Sequence, residues 1–354
     1  MVSESIKNSA FRIIDASFNR AMEGFRVVEE FTRMHLNDRL LSKSVKQLRH
    51  DLVEAVSQCP GDSLLACRDI LHDVGTTVQT KSEYQRDSID NIVRANFGRV
   101  LQSLRSIEEY AKLAMPEISQ DVEAIRYQAY AVEKVVVRVL ASIEDLESAS
   151  VYVLTDTRES LAEFEKLIIQ LIEAEVDLIQ LRDKRLEDRD LIAAGKLLTK
   201  LTRGSISRWI MNDRADLAVV CDADGVHVGQ SDLDVAEARR IVGVGKMVGV
   251  STHNFEQARD AIMAGADYIG VGPVFPSTTK SFLQFASQQF VERVMNEITL
   301  PAFAIGGINE LNIEQLIEIN VSRVAVSGAV INSDDPSEII RVIKQKLMAS
   351  CETC

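Results

Sequence analysis

Three cations, Arg182, Lys184 and Lys280, stand out in an otherwise acidic chain, and the first two are two residues apart in Gln180-Leu181-Arg182-Asp183-Lys184. On an extended segment that spacing turns both side chains to one side, so both reach one anion of diphosphate size. Two carboxylates, Asp213 in Asn212-Asp213-Arg214 and Asp232 in Gly229-Gln230-Ser231-Asp232, are the hard oxygen ligands Mg²⁺ takes while it keeps waters and grips phosphate oxygens. Composition also admits Asp213 as the N-cap of a short helix over 215–220. The pairs Gly306-Gly307 and Ser327-Gly328 let backbone N–H groups approach a second anion. There is no Ser-His-Asp arrangement and no activated cysteine; His227 and His253 are not spaced as an acid/base pair, and His227 reads as a structurally oriented residue. Two anion sites, a metal and no base suit a reaction in which a metal-bound diphosphate leaves and the nucleophile needs no deprotonation. Electrostatic stabilisation would be its main catalytic contribution.

These residues follow short β-branched runs, at 151–154, 176–181, 208–211, 225–228, 247–250, 268–271, 302–305 and 323–326, separated by amphipathic helical segments. Eight βα units close as a barrel, whereas open doubly wound sheets usually have fewer strands and an order reversal. In a barrel the C-terminal strand ends build the site, and the turns after strands seven and eight commonly bind phosphate.

Before residue 147 the pattern differs. Apolar residues recur at helical spacing from Phe11 onward, and Arg20-x-x-Glu23-x-x-Arg26-x-x-Glu29-Glu30-Phe31 reappears as Arg99-x-x-Gln102-x-x-Arg105-x-x-Glu108-Glu109-Tyr110. Gln47-Leu48-Arg49-His50 and Ala124-Ile125-Arg126-Tyr127 follow the two copies at nearly equal distances. Two copies of a helix pair predict a pseudo-symmetric bundle. The acidic stretch 144–148 marks the boundary, so the expected architecture is an all-α domain over 1–147 built from an internal repeat, then an α/β (β/α)8 TIM barrel over 148–354.

The formal charge of −13 argues against nucleic-acid or membrane-surface partners, and 46% hydrophobic with 26% charged residues is ordinary globular composition. Nothing at the start resembles a signal peptide and no run is long enough to span a bilayer, so the expected location is cytoplasmic. Cys59, Cys67, Cys221, Cys351 and Cys354 are too few and scattered for a disulfide framework, and the terminal pair lacks partners for a zinc site.

The strand-end motifs QLRDK, ND, ADGVHVGQSD, GVSTH, GVGPVFPSTTK, the GG after strand seven and SGA together resemble thiamine phosphate synthase, over about 150–348. The resemblance implies an Mg²⁺-dependent transferase that joins hydroxymethylpyrimidine diphosphate to a thiazole phosphate through a pyrimidine carbocation. It implies that Gln180 contacts the pyrimidine; that Arg182, Lys184, Asn212, Ser251 and Lys280 hold the diphosphate; that Asp213 and Asp232 bind Mg²⁺; and that Ser277, Thr279, Gly307, Val326 and Ser327 form the thiazole phosphate pocket. Ser277 replaces a frequent threonine and keeps the hydroxyl. Arg214 stands where some members carry a second acid. The related thiazole tautomerase shares the barrel and phosphate pocket but needs no diphosphate grip. The helical half resembles an N-terminal extension associated with hydroxymethylpyrimidine phosphate kinase activity, which would make ATP a substrate. Without a P-loop, three readings stay open for it: kinase, oligomerisation module that makes a homo-oligomer, or regulatory domain. Asn19, Asn96, Arg68-Asp69 and His72-Asp73-Val74-Gly75 are the residues that exceed structural need on this reading, and the repeated Arg and Glu positions equally suit interhelical salt bridges.

Overall fold

The computed structural model describes residues 3–60, 62–69, 86–276 and 287–351. The chain divides into two compact units, Met1–Leu140 and Ala141–Cys354.

The first unit is helical. Glu4–Glu30 (α1) runs into a π-helical turn at Phe31–His35, and Arg39–Ser57 (α2), Ser63–Ala66 (α3), Ile89–Ala114 (α4) and Pro116–Asp145 (α5) follow. Side-chain caps start α2 and α4: Asp38 Oδ1 accepts from Leu41 N–H at 2.8 Å, and Ser88 Oγ from Asn91 N–H at 3.1 Å. Apolar side chains at helical spacing on α1, such as Ile14, Phe25 and Val28, are fully buried, each contributing roughly 1.5–3 kcal/mol. α1 lies directly on α4: a Cβ at Gly24 would sit 2.7 Å from Val100 Cγ2 and 3.0 Å from the Asn96 carbonyl.

Part of the duplicated polar set is used by this packing. Arg49 Nε donates to Glu29 Oε2 at 2.8 Å, and Arg126 Nε to Glu108 Oε2 at 2.8 Å, the same bond in each repeat. Asn19 and Asn96 each donate to a carbonyl one turn back on their own helix, Asp15 and Ile92, at 2.8 Å. Arg68 likewise grips the buried Asp15 carboxylate through two bonds of 2.7 and 2.6 Å, and Arg12 donates to the Asp69 carbonyl. These residues meet structural needs. The 72–75 motif lies outside the described residues.

The second unit is a closed barrel of eight parallel strands in sequence order. They are Val151–Thr155 (β1), Leu178–Leu181 (β2), Arg208–Asn212 (β3), Gly225–Val228 (β4), Met247–Thr252 (β5), Tyr268–Val271 (β6), Ala302–Ile305 (β7) and Val324–Val326 (β8), and β8 closes on β1 through the Val153–Val326 register. Helices Leu161–Glu173 (α6), Asp188–Thr202 (α7), Ala215–Val220 (α8), Val235–Val242 (α9), Phe255–Ala264 (α10), Gln288–Glu297 (α11), Ile313–Ile317 (α12), Gly328–Ile331 (α13) and Pro336–Cys351 (α14) alternate with the strands or follow the last. Three strands start with an aspartate just before them that clasps the preceding strand. Asp177 accepts from Val151 N–H at 2.8 Å, Asp224 from Trp209 N–H at 2.8 Å and Asp267 from Val248 N–H at 2.7 Å. Residues 176 and 177, expected in β2, belong to this approach.

Tyr152, Leu178, Ile210, Met247, Tyr268 and Phe303 fill the barrel interior. The three aromatic rings meet edge to face at centroid distances of 5.4 to 5.8 Å. Gly249 makes this possible, since a Cβ there would overlap the Tyr268 ring at 2.1 Å.

Candidate active site

At the top of β2 the chain turns through Arg182 and Lys184, and the buried Asp183 between them fixes the turn. Its carboxylate accepts from Thr157 Oγ1 at 2.7 Å and from Arg185 Nε at 2.9 Å and Nη2 at 2.7 Å. Arg185 above all, with Thr157, holds that carboxyl well below the usual carboxylate range despite its burial. Arg182, anchored by its N–H on the Thr155 carbonyl at 2.8 Å, makes no ion pair among the described residues. Lys184 reaches across to β3, its Nζ 3.2 Å from Asp213 Oδ2.

Asp213 adopts φ +60°, with its N–H donating to the His227 carbonyl at 2.8 Å. It does not cap α8: Arg214 holds the N-cap position and no side chain closes it. Burial, then the neighbouring Asp232 carboxylate, raises the Asp213 carboxyl above its ordinary range, and Lys184 offsets part of this. Asp232 Oδ2 is oriented by Gly229 N–H at 2.8 Å. Among the described residues no group of three or more His, Cys, Asp or Glu side chains gathers for a metal. Two carboxylates that repel each other, with hard oxygen donors and no nitrogen or sulfur, nevertheless fit a cation such as Mg²⁺, which fills its remaining positions with water and phosphate oxygens.

Deeper in the barrel, Gln180 is almost wholly buried, and its Nε2 donates to Tyr152 Oη at 2.5 Å while its Oε1 has no hydrogen-bond partner. Tyr152 Oη lies 2.9 Å from Tyr268 Oη, which lies 3.2 Å from His227 Nδ1. His227 Nε2 is 2.9 Å from Ser251 Oγ. Burial pushes His227 down to about 4, against the pull of Asp232 and with Arg182 adding to the depression, so the imidazole is neutral near pH 7. Tyr152, Tyr268 and His227 were not marked by the sequence as site residues. The signal available was the glycines at 249 and 270 on consecutive strands, small residues where barrel interiors are usually bulky, which vacate space for the Tyr268 and His227 rings.

The β7 and β8 ends form a separate cluster. Gly306 and Gly307 have φ +107° and +63°, and a Cβ on Gly307 would meet the Pro276 carbonyl at 2.2 Å, so only glycine fits. The Gly307 carbonyl accepts from Asn312 Nδ2 at 2.9 Å. Val326 is buried at the end of β8, and Ser327 begins α13 with no side-chain bond across the cap. Thus Arg182, Lys184, Asn212, Asp213, Asp232 and Ser251 lie at the ends of β2 to β5 or just after them, Gln180 lies below them in the interior, and Gly307, Val326 and Ser327 lie at the ends of β7 and β8. Ser277, Thr279 and Lys280 lie outside the described residues.

A family profile described as thiamine monophosphate synthase matches residues 151–330, and one described as the ThiD2 family matches residues 12–135. The thiamine-phosphate synthase of Rhodopirellula baltica is 42% identical over 335 residues, covering 92% of this chain and 89% of that one. That of a Synechocystis species is 38% identical, covering 92% and 93%. Among solved structures, thiamine phosphate pyrophosphorylase from Pyrococcus furiosus aligns with a TM-score of 0.52 at 29% identity, over 57% of this chain and 96% of that one.

Proposed function

The chain belongs to the thiamine-phosphate synthase family, transferases of thiamine biosynthesis that release diphosphate, and from that premise we propose the substrates, residue roles and mechanism of its barrel. The barrel joins 4-amino-2-methyl-5-hydroxymethylpyrimidine diphosphate to 4-methyl-5-(2-hydroxyethyl)thiazole phosphate, giving thiamine phosphate and diphosphate, or to its carboxylated form, in which case CO₂ is released as well. The observation that carries this reading is the Asp213 carboxylate set between Asp232 and Lys184, a place for a cation beside an ammonium donor.

In the reaction the pyrimidine C–O bond breaks and its electron pair leaves with the diphosphate, producing a carbocation that the amino group stabilises. The thiazole nitrogen lone pair then forms the C–N bond, and no proton has to be removed. Gln180 contacts the pyrimidine, while Arg182, Lys184, Asn212, Ser251 and Lys280 hold the departing diphosphate and disperse its growing charge. Asp213 and Asp232 would hold Mg²⁺, which, when bound, neutralises charge on the leaving group. Ser277, Thr279, Gly307, Val326 and Ser327 hold the thiazole phosphate, through backbone N–H groups exposed by the glycine turn and through hydroxyl donors. Cys59, Cys67 and Cys221 are unpaired thiols, which supports a cytoplasmic setting.

For the helical unit, the match to the ThiD2 family favours a kinase reading: ATP-dependent phosphorylation of hydroxymethylpyrimidine phosphate, which supplies the barrel's substrate. One assay separates the parts. Purified protein with Mg²⁺, thiazole phosphate and the pyrimidine diphosphate, without ATP, should form thiamine phosphate; a parallel reaction starting from the monophosphate and ATP should also do so. Product from the diphosphate alone removes the kinase reading, and product from neither removes both.

A further inference from the structure

Gln180, Tyr152, Tyr268, His227 and Ser251, from five different strands, form one unbroken line of hydrogen bonds across the barrel interior, with links of 2.5, 2.9, 3.2 and 2.9 Å. Every interior member can give only one proton. A phenol has a single O–H, and a neutral imidazole has a single N–H whose position is set by what its other nitrogen does. Among the described residues Tyr152 Oη hydrogen-bonds only with Gln180 and Tyr268, so when the Gln180 amide donates to it, its own proton goes to Tyr268 Oη. The Tyr268 proton then goes to His227 Nδ1, the imidazole proton stands on Nε2 and is donated to Ser251 Oγ, and the Ser251 proton is left pointing out of the line. Leaving any buried O–H or N–H unspent is costly, so the line has two self-consistent senses rather than a mixture.

In the opposite sense the Gln180 amide is turned over, its Oε1 accepts from Tyr152, and the Ser251 proton is spent on His227 Nε2. Gln180 then presents NH₂, and Ser251 presents only lone pairs. The two senses fit different ligands. An anion beside Ser251 needs the first sense, and an amino group beside Gln180 also needs it, because only then is Oε1 free to accept.

Resting on the reading of the barrel site given above, we infer that Tyr152, Tyr268 and His227 are positioning residues. They transmit the orientation of the Gln180 amide to the Ser251 hydroxyl, so that recognising the aminopyrimidine end of the substrate makes Ser251 a hydrogen-bond donor at its diphosphate end. The aromatic layer in the barrel core is therefore part of substrate selection as well as packing.

The test uses the full-length protein with imidazole-¹⁵N histidine and two readouts. By ¹⁵N NMR the unmodified protein with pyrimidine diphosphate bound should carry the His227 proton on Nε2 with Nδ1 bare; a proton on Nδ1 overturns the inference. In kinetics with the pyrimidine diphosphate, Tyr268→Phe and Ser251→Ala should each lower kcat/KM by roughly ten- to a hundredfold, the range of a hydrogen bond to a charged group. The double variant should be no worse than the poorer single variant, since Ser251→Ala removes the group through which Tyr268 acts. Losses that multiply mean that Tyr268 serves packing alone, and overturn the inference. Should Tyr268→Phe fail to fold, the tautomer in the unmodified protein decides. Absence of any turnover in the unmodified protein refutes the proposed substrates, whereas turnover with the proton on Nδ1 refutes only the line.

Discussion

The helical unit and the barrel rim use similar residues to opposite ends. In the helical unit Glu29, Glu108 and Asp15 are each closed off by an arginine, and the first two are a single closure kept in both copies of the repeat. At the rim Arg182 has no ion-pair partner among the described residues and Asp213 shares its surroundings with a like charge, and just below it Gln180 keeps an idle acceptor. Charges that hold a fold are neutralised by one another; those poised for a ligand are left incompletely matched, at some cost to stability. The contrast is clearer than burial, because Asp213 and Arg49 are both only partly buried.

If that contrast is right, breaking a pair in the helical unit should cost stability and not barrel chemistry. Glu108→Ala leaves the buried Arg126 with only the long contact to Glu123 at 4.0 Å and the Tyr127 ring, and should destabilise the helical unit by about 3 kcal/mol, read by chemical denaturation, with synthase turnover on the diphosphate substrate unchanged. Asp213→Asn should do the reverse, lowering kcat/KM by roughly 10²–10³ while the protein folds normally. Its pH behaviour sharpens the point. Because the folded state raises the Asp213 carboxyl, the folded protein binds that proton more tightly than the unfolded chain, so stability is lost as pH rises through the raised value. In metal-free buffer at pH 7, Asp213→Asn should therefore melt higher than the parent, with the gap closing as pH falls below the usual carboxylate range. Added Mg²⁺ should raise the parent's melting point and leave the variant's unchanged.

Two glycines extend the comparison to packing. Gly249→Ala forces a Cβ into the Tyr268 ring and should cost about 1–3 kcal/mol with a loss of turnover. Gly98→Ala, in α4 with nothing within 4 Å of the new Cβ, should stabilise by about 0.4–1 kcal/mol in a thermal melt and leave turnover alone.

The alternation of β-branched runs and helices made the eight strands legible within one or two residues, and the repeat made the helix pairs legible. Strand edges were missed where a residue serves a neighbour rather than its own ladder, as at Val176-Asp177, whose carboxylate holds β1. The candidate rim was visible because charged residues after a strand are conspicuous. The interior line was not, since Tyr152 and Tyr268 are ordinary strand residues in sequence and meet only because barrel closure brings together positions 116 residues apart. The partners of Asn19, Asn96 and Arg68 were hidden for the converse reason: a polar residue in a helix declares its chemistry but not that a partner lies one turn away or on a neighbouring segment.

The aspartates that clasp β1, β3 and β5 divide the ring into quarters, three of them spelt alike as Val176-Asp177, Ala223-Asp224 and Ala266-Asp267. The fourth, β7 with β8, is spelt Ser322-Arg323 and has no such carboxylate. There the base is fastened instead by Ala304 N–H on the Arg323 carbonyl at 3.0 Å, and this differently built seam runs up to the Gly306-Gly307 and Ser327 turns. The quarter proposed above to hold the thiazole phosphate is thus the one whose base lacks the carboxylate that the other three share.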